Sequence, residues 1–370
     1  MLILTIVFYI FIVVIGIQTL FYVGIFGKFS NLTSRSKAQR KAPISVIICA
    51  KNEEENLKEF LPFILAQDYP NFEIILINDS SSDDTLEVME TFKAKDNRIK
   101  IVNVKSIEAF WGNKKYALTL GIKAAKHNLL LFTDADCKPV SKYWISEMSG
   151  HFSSSKSLVI GYGGYQKIKH SFLNKVIRFE TLLTATQYFS YATMGLPYMA
   201  VGRNLAYKSD TFYEAKGFMN HMDVLSGDDD LFVNQVATKR NTAICFSKDS
   251  FTLSKPKTTY KSWFLQKRRH VNTANRYKLK HKILLALFYS SQILFWILAT
   301  VLLSFQFNWI IVSALVCYRL ILLYVIFGMT AKKFNEKDLL LFLPIFEIFL
   351  IIVQFVIFIK NTSSKPNHWK

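Results

Sequence analysis

Two aspartates, Asp134 and Asp136, stand one residue apart directly after the apolar run Leu129–Phe132. Four apolar residues in a row predict a buried strand. In an open α/β sheet, ligands gather just beyond the carboxyl ends of the strands. Two carboxylates in that place can ligate a hard divalent cation, Mg2+ or Mn2+, which in turn grips a diphosphate. The same residues also fit a plain polar turn in which Asp136 caps the next helix. A second acidic group, Asp228-Asp229-Asp230, follows Gly227. Taken alone, three adjacent acids suit an open loop or a Ca2+-like site.

These residues need a frame, and the chain supplies one in sequence order. Ile44–Ala50 (ISVIICA) reads as a buried strand, and Lys51–Glu55 opens a helix with acids in its first turn, where the helix dipole favours them. Glu73–Asn78 and Ile99–Val104 are further strands, and the turn Asp79–Thr85 can cap the helix after it. Asn113–Ala125 is helical, with Leu118, Ile122 and Ala125 on one face. Strands alternating with helices predict an α/β fold with a mostly parallel sheet covered on both faces. Beyond Asp136 the pattern predicts one strand over Leu158–Tyr165, a helix over Leu173–Tyr191, a loop entering a strand over Gly195–Tyr207 and a short helix over Phe212–Gly217.

Composition adds a second environment. Hydrophobic residues make up 51% of the 370, yet 20% are charged, and the two are segregated. Residues 1–27 hold no charged side chain, and a second apolar zone runs from Ile283 to Ile359. Met1–Phe26 is long enough to span a bilayer once and lacks the basic start and small-residue cleavage site of a signal peptide, so it reads as a retained anchor. Three further spans are expected near Ile283–Ser304, Trp309–Thr330 and Leu339–Ile359. The net charge of +19 is concentrated beside the spans: Lys255–Lys282 carries ten Lys or Arg and no acid, and Lys28–Lys41 carries five and no acid. Such blocks mark a cytoplasmic face in contact with anionic lipid, and nucleic acid is not expected as a partner. The division that follows is an anchor at 1–27, a basic linker at 28–42, a globular domain at 43–255, a basic amphipathic segment at 256–282, spans within 283–360 and a polar tail at 361–370. Four cysteines without paired spacing fit a reducing compartment.

Over roughly Ile44–Ala274 the chain resembles the membrane-bound, processive-type branch of glycosyltransferase family 2, the hyaluronan- and cellulose-synthase-like group. Val46–Glu53 resembles the opening motif, Asp79 the second aspartate closing the next strand, Gly112–Leu118 the Gly-Lys helix start, Asp134-Ala135-Asp136 the Asp-X-Asp motif, and Gly227-Asp228-Asp229 the acidic motif. Gln266–His270 resembles the Gln-X-X-Arg-Trp motif with His270 in the place of Trp, which puts acceptor handling and processivity in question. The resemblance implies a GT-A, Rossmann-like nucleotide-diphospho-sugar transferase domain that moves a sugar, expected from a UDP-sugar, to a hydroxyl on a glycan or lipid-linked acceptor. It implies nucleotide-sugar contacts at Ala50, Asn52, Glu53, Asp79, Lys114, Asp134, Gln266 and Arg269, and metal ligation by Asp136 and Asp134. An extra Asn113 leaves Lys114 and Lys115 as rivals for the motif lysine; either stands at a helix N-terminus, a place that suits phosphate. The catalytic base is implied at Asp229, with Asp228 as the choice if the motif is counted back from Leu231. A multi-pass cell-membrane protein with its catalytic domain in the cytoplasm is the expected setting. A polyprenyl-phosphate transferase and an inactive membrane scaffold are the other readings; the intact acids argue against the scaffold.

Two charges inside the spans need partners. If the last two spans form a hairpin, Arg319 lies level with Leu350, and Glu347 is about 4.5 Å away along the axis. An Arg319–Glu347 pair is expected, with Pro344 bending the second span. Four crossings would carry the tail, with Lys365 and Lys370, to the outer side; a cytoplasmic tail requires that one span not cross.

Overall fold

The computed structural model describes residues 1–34, 41–105 and 114–363. Residues 35–40 of the basic linker, Gly112-Asn113 of the Gly-Lys motif and the end of the tail lie outside the described residues.

The chain opens with α1 (Leu2–Thr19), which passes through a π-helical stretch, Leu20–Phe26, into a last turn α2 (Gly27–Ser30). The α/β unit then runs β1 (Ile44–Ala50), α3 (Glu54–Leu65), β2 (Phe72–Asp79), α4 (Thr85–Lys95), β3 (Ile99–Val104), α5 (Lys114–Ala124) and β4 (Leu129–Asp134). It continues with β5 (Cys137–Pro139), α6 (Trp144–Ser149), β6 (Leu158–Ile160), β7 (Gly163–Tyr165), α7 (Phe172–Thr193), β8 (Leu205–Lys208), α8 (Ser209–Glu214), α9 (Asp230–Val236), β9 (Thr242–Ile244) and β10 (Thr252–Ser254). Four helices follow: α10 (Tyr260–Thr273), α11 (Leu279–Ser304), α12 (Trp309–Phe334) and α13 (Leu343–Ser363).

The main sheet has the order β3-β2-β1-β4-β8-β6-β9. Its first four strands are parallel; β8 is antiparallel to both β4 and β6. A small sheet, β5-β10-β7, stands beside it. Every residue of β1 and β2 is buried, because helices cover both faces. Successive side chains alternate between those faces. Val46, Ile48, Ile74 and Leu76 point into a core closed by α3, α4 and α6. Ile47, Ile75, Ile77 and Phe132 point into a larger core that also takes Phe26 and Phe29 from the first helix and Phe327 and Phe334 from α12. One face of the sheet thus shares its core with the apolar helices.

Four helical stretches, Leu2–Ser30, Leu279–Ser304, Trp309–Phe334 and Lys337–Asn361, are long and apolar enough to cross a membrane. Arg319 and Glu347 do pair, with Arg319 Nη1 donating to Glu347 Oε2 at 2.7 Å and Nη2 to Oε1. Gln18 accepts from Arg319 Nε at 2.6 Å, Tyr22 accepts from Nη2 at 3.0 Å, and Gln292 and Trp296 donate to Glu347 at 2.9 and 3.2 Å. Two expectations need correction. Leu158–Tyr165 is two strands in different sheets, separated where Gly161 passes so close to Asn204 that an added Cβ would lie 2.5 Å from it. Pro344 is the second residue of α13, where no N–H is required, and so starts the helix instead of bending it.

Candidate active site

The carboxyl ends of β1, β2 and β4 lie side by side, with Cys49 level with Asp134 and Ala50 level with Asn78. A pocket opens at that edge, walled by Cys49, Lys114, Thr133, Asp134, Asp228 and Asp229. Lys114, on the first turn of α5, reaches both acidic groups: Nζ lies 2.9 Å from Asp134 Oδ1 and 3.1 Å from Asp228 Oδ2. Burial works against its charge, but Asp134 and Asp228 more than offset that and raise its pKa well above the ordinary value. Burial likewise opposes the charge on Asp134, yet Lys114 and then Arg203 hold its carboxyl below the usual range.

The two lysines point in different directions. Lys115, buried, turns away from the pocket and donates to His221 O at 2.6 Å and Val224 O at 2.7 Å, tying the loop before Gly227 to α5. Burial, only partly countered by nearby acids, pushes its pKa down to about 8.

The three acids divide in the same way. Asp230 is buried and accepts from Thr273 at 2.5 Å and Tyr277 at 2.6 Å, so it anchors α10 to α9. Asp229 caps α9: its Oδ1 accepts from Asp230 N at 2.7 Å and its Oδ2 from Gly202 N at 2.6 Å. Burial first, then Asp228 and Asp230, push the Asp229 carboxyl up to about 7. Asp228 faces Lys114, and its charge also acts on Arg269 from α10.

On the β1–β2 side, Asn52 has φ 55° and joins the next turn, its N–H donating to Ser81 Oγ at 3.0 Å and its Oδ1 accepting from Ser82 N at 2.8 Å. Glu53 N donates to Thr85 Oγ1 at 2.8 Å. Asp79 is buried, and among the described residues its Oδ2 has no hydrogen-bond partner. Burial raises its pKa against the opposing charges of Lys51 and Lys114. A buried carboxylate oxygen left over is a ready acceptor for an N–H or hydroxyl of a bound molecule. Gln266 lies on α10, one turn before the exposed His270.

A divalent cation fits the strand end. Ligand atoms of Asp134, Asp136 and Cys137 lie within 4.8 Å of one another. Burial and the Asp134 charge raise the Asp136 pKa, a repulsion that a cation relieves. The Cys137 thiol, pushed well up by burial, donates to Asp136 Oδ1 at 3.2 Å, so the oxygen atoms make up the hard-cation set.

Sequence reasoning missed Arg203. Its guanidinium donates to Gly163 O at 3.0 and 2.7 Å, stacks over Tyr165 at 4.8 Å, and its charge acts on Asp134 and Asp136. The signal was an Arg between Gly202 and Asn204 in a loop entering β8, but its target comes from β7, forty residues earlier.

Comparison with known proteins bears on the family and the fold. Residues 45–225 match the sequence model of "Glycosyl transferase family 2". A poly-beta-1,6-N-acetyl-D-glucosamine synthase of Staphylococcus epidermidis is 36% identical over 106 residues, 29% of this chain and 24% of that protein. An Escherichia coli UDP-Glc:alpha-D-GlcNAc-diphosphoundecaprenol beta-1,3-glucosyltransferase is 30% identical over 125 residues, 33% of this chain and 45% of that one. The chain therefore spans a quarter to under half the length of these relatives. In fold, a mannosyltransferase of Pyrobaculum calidifontis, solved in complex with GDP-Man and Mn2+, superposes with a TM-score of 0.59 at 16% identity, over 93% of this chain and 98% of that one. The fold is GT-A.

Proposed function

From the match of residues 45–225 to glycosyl transferase family 2, we propose that the chain is a membrane-bound inverting glycosyltransferase. It moves a sugar from a nucleotide-diphosphate donor, a UDP-sugar, to a hydroxyl on a glycan or lipid-linked acceptor. The observation that carries the reading is the single pocket in which Lys114 joins the strand-end Asp134 to Asp228 of the acidic segment. Donor-side and acceptor-side chemistry then meet at one place.

Asp79, with its unpartnered buried oxygen, accepts from the base or ribose, and the turn of Ala50, Asn52 and Glu53 bounds the nucleotide. Asp136 and Asp134 would hold the divalent cation, Mg2+ or Mn2+, whose charge would offset that of the departing diphosphate. Lys114 and Arg269, with Gln266 from the same helix as Arg269, supply further positive charge and hydrogen bonds for that group. Asp229 takes the acceptor proton. Its two backbone hydrogen bonds fix its position, and a pKa of about 7 suits a base working near neutrality. Asp228, spent on Lys114, tunes that carboxylate by its charge.

The apolar helices support a multi-pass cell-membrane protein, and the basic blocks support a catalytic domain in the cytoplasm, where nucleotide sugars are made. The named acceptor of the Escherichia coli relative, a sugar on a lipid diphosphate, supports an acceptor of the same broad kind.

Calorimetric titration of UDP into the purified protein tests the donor side. Binding is expected to require Mn2+ or Mg2+ in the wild type and to lose that requirement, with most of its affinity, in Asp136→Ala. Equal, metal-dependent affinity in the variant removes Asp136 from the metal site. The pH profile tests the acceptor side. Transfer should rise as pH passes about 7, where Asp229 loses its proton, and level off above. Folding stability should move the other way, falling from the ordinary carboxylate range up to about pH 7, because the folded state holds that proton longer than the unfolded chain. A flat rate profile between pH 5 and pH 8, on the order of one unit or more either side of that pKa, argues against Asp229 as the base.

A further inference from the structure

α13 has the composition of a fourth crossing, but both of its ends are bound to the catalytic domain, while between them Glu347 pairs with Arg319 of α12 and accepts from Gln292 and Trp296 of α11. The turn before it is bound to α7 and the segment that leads into α7: Arg178 Nη2 donates to Asp338 Oδ1 at 2.6 Å and also to Glu336, and Lys167 donates to Asn335 O at 2.6 Å. Along its course Phe346 stacks on Phe179 of α7 at 5.3 Å, and Phe349 on Trp263 of α10 at 6.3 Å. Its far end is bound to α10: Arg268 Nε donates to Asn361 Oδ1 at 2.9 Å, and Asn361 Nδ2 donates back to Arg268 O at 3.1 Å. α10 is itself part of the catalytic domain, for Lys267 pairs with Glu180 of α7 at 2.5 Å and Thr273 holds Asp230.

One apolar cluster of the bundle is built without α13. The apolar cluster of Phe8, Phe11, Phe295, Leu302 and Val312 is built from α1, α11 and α12, with no residue of α13 among the described residues. From Leu343 to Asn361 the helix is about 27 Å long, close to the thickness of the hydrocarbon layer. A crossing would bring Asn361 to the opposite surface and drag Lys267, Arg268 and Arg269 of α10 into or through the hydrocarbon, where each charge is costly. Yet the outer side of α13 is apolar: Ile345, Ile352, Phe355 and Phe358 are each more than half exposed. That side suits acyl chains.

We propose that α13 is re-entrant: it enters and leaves the bilayer by the face that carries the catalytic domain. Its apolar outer side lies against the acyl chains of that leaflet. The chain then crosses three times, and Asn361 lies on the catalytic side. Lys365 and Lys370 in the tail agree with that side by the positive-inside rule. The proposal rests on reading these helices as embedded in a bilayer.

Two positions in the full chain decide it, in a Cys317→Ser background: Gln306→Cys in the turn between α11 and α12, and a cysteine appended after Lys370. An impermeant maleimide applied to intact cells should label one of the two and not the other. Reporter fusions at the C-terminus give an independent readout: a fluorescent protein should be bright there, and a phosphatase active only after export should be silent. Labelling of both positions from the same side, or an active C-terminal phosphatase, overturns the re-entrant path. Release of the chain from membranes by alkaline carbonate overturns the embedding itself, a separate failure read from a separate measurement.

Discussion

Asp229→Asn lowers sugar transfer by about 100-fold or more and leaves UDP affinity nearly unchanged. Asparagine keeps the size of the side chain and can still accept from Gly202 N, which now lies 2.6 Å from Asp229 Oδ2. What it cannot do is take the acceptor proton. Asp228→Asn acts differently, because it removes one of the two carboxylates that hold Lys114. It should disturb donor affinity as much as rate. Steady-state rates and nucleotide titrations on both variants separate the roles. Full transfer by Asp229→Asn with a collapsed rate in Asp228→Asn moves the base by one residue. Full transfer by both removes the inverting mechanism built on this segment.

The second large effect is expected far from the pocket. Arg319→Met leaves Glu347 buried with Gln292, Trp296 and Tyr22 but without its counter-charge. Glu347→Gln strands the guanidinium between Gln18 and Tyr22. Breaking one side of a buried pair costs about 3–5 kcal/mol, because the remaining charge stays desolvated. The double variant Arg319→Met with Glu347→Gln should therefore lose clearly less than the sum of the singles. Thermal inactivation of the detergent-solubilised protein reads this, with the catalytic domain's nucleotide affinity as a control for folding. Strictly additive losses would mean that the two side chains do not stabilise one another.

Much of this arrangement is legible in the sequence where the signal is local. The runs ISVIICA, EIILIN and LLLF are continuous because both faces of their strands are covered, so the strands and the carboxylates at their ends could be read directly. The Arg319–Glu347 pair followed from helix rise and a hairpin, which is arithmetic on one element pair. What escaped reading depends on segments far apart in the chain. Whether Lys114 or Lys115 enters the pocket is decided by where the loop at His221 and Val224 lies, and no spacing rule gives that. The break within Leu158–Tyr165 exists because Gly161 meets Asn204 and Tyr162 stacks on Phe334 at 4.2 Å. Arg203 looks like a loop residue until β7 is placed beside it. The path of α13 was hidden for the opposite reason: its own composition speaks for a crossing, and only its partners on α7 and α10 speak against one.

The central claim is that the pocket joining Asp134 to Asp228-Asp229, with Asp136 beside Asp134 at the strand end, activates a nucleotide sugar. Its most direct test is turnover of the purified full chain with a set of UDP-, GDP- and TDP-sugars in the presence of Mg2+ or Mn2+, read as release of nucleoside diphosphate. The expected result is release from one UDP-sugar above the others, abolished by chelation and by Asp136→Ala. Release that persists unchanged in Asp136→Ala and without metal, or no release from any donor by a folded wild-type protein, would contradict the account.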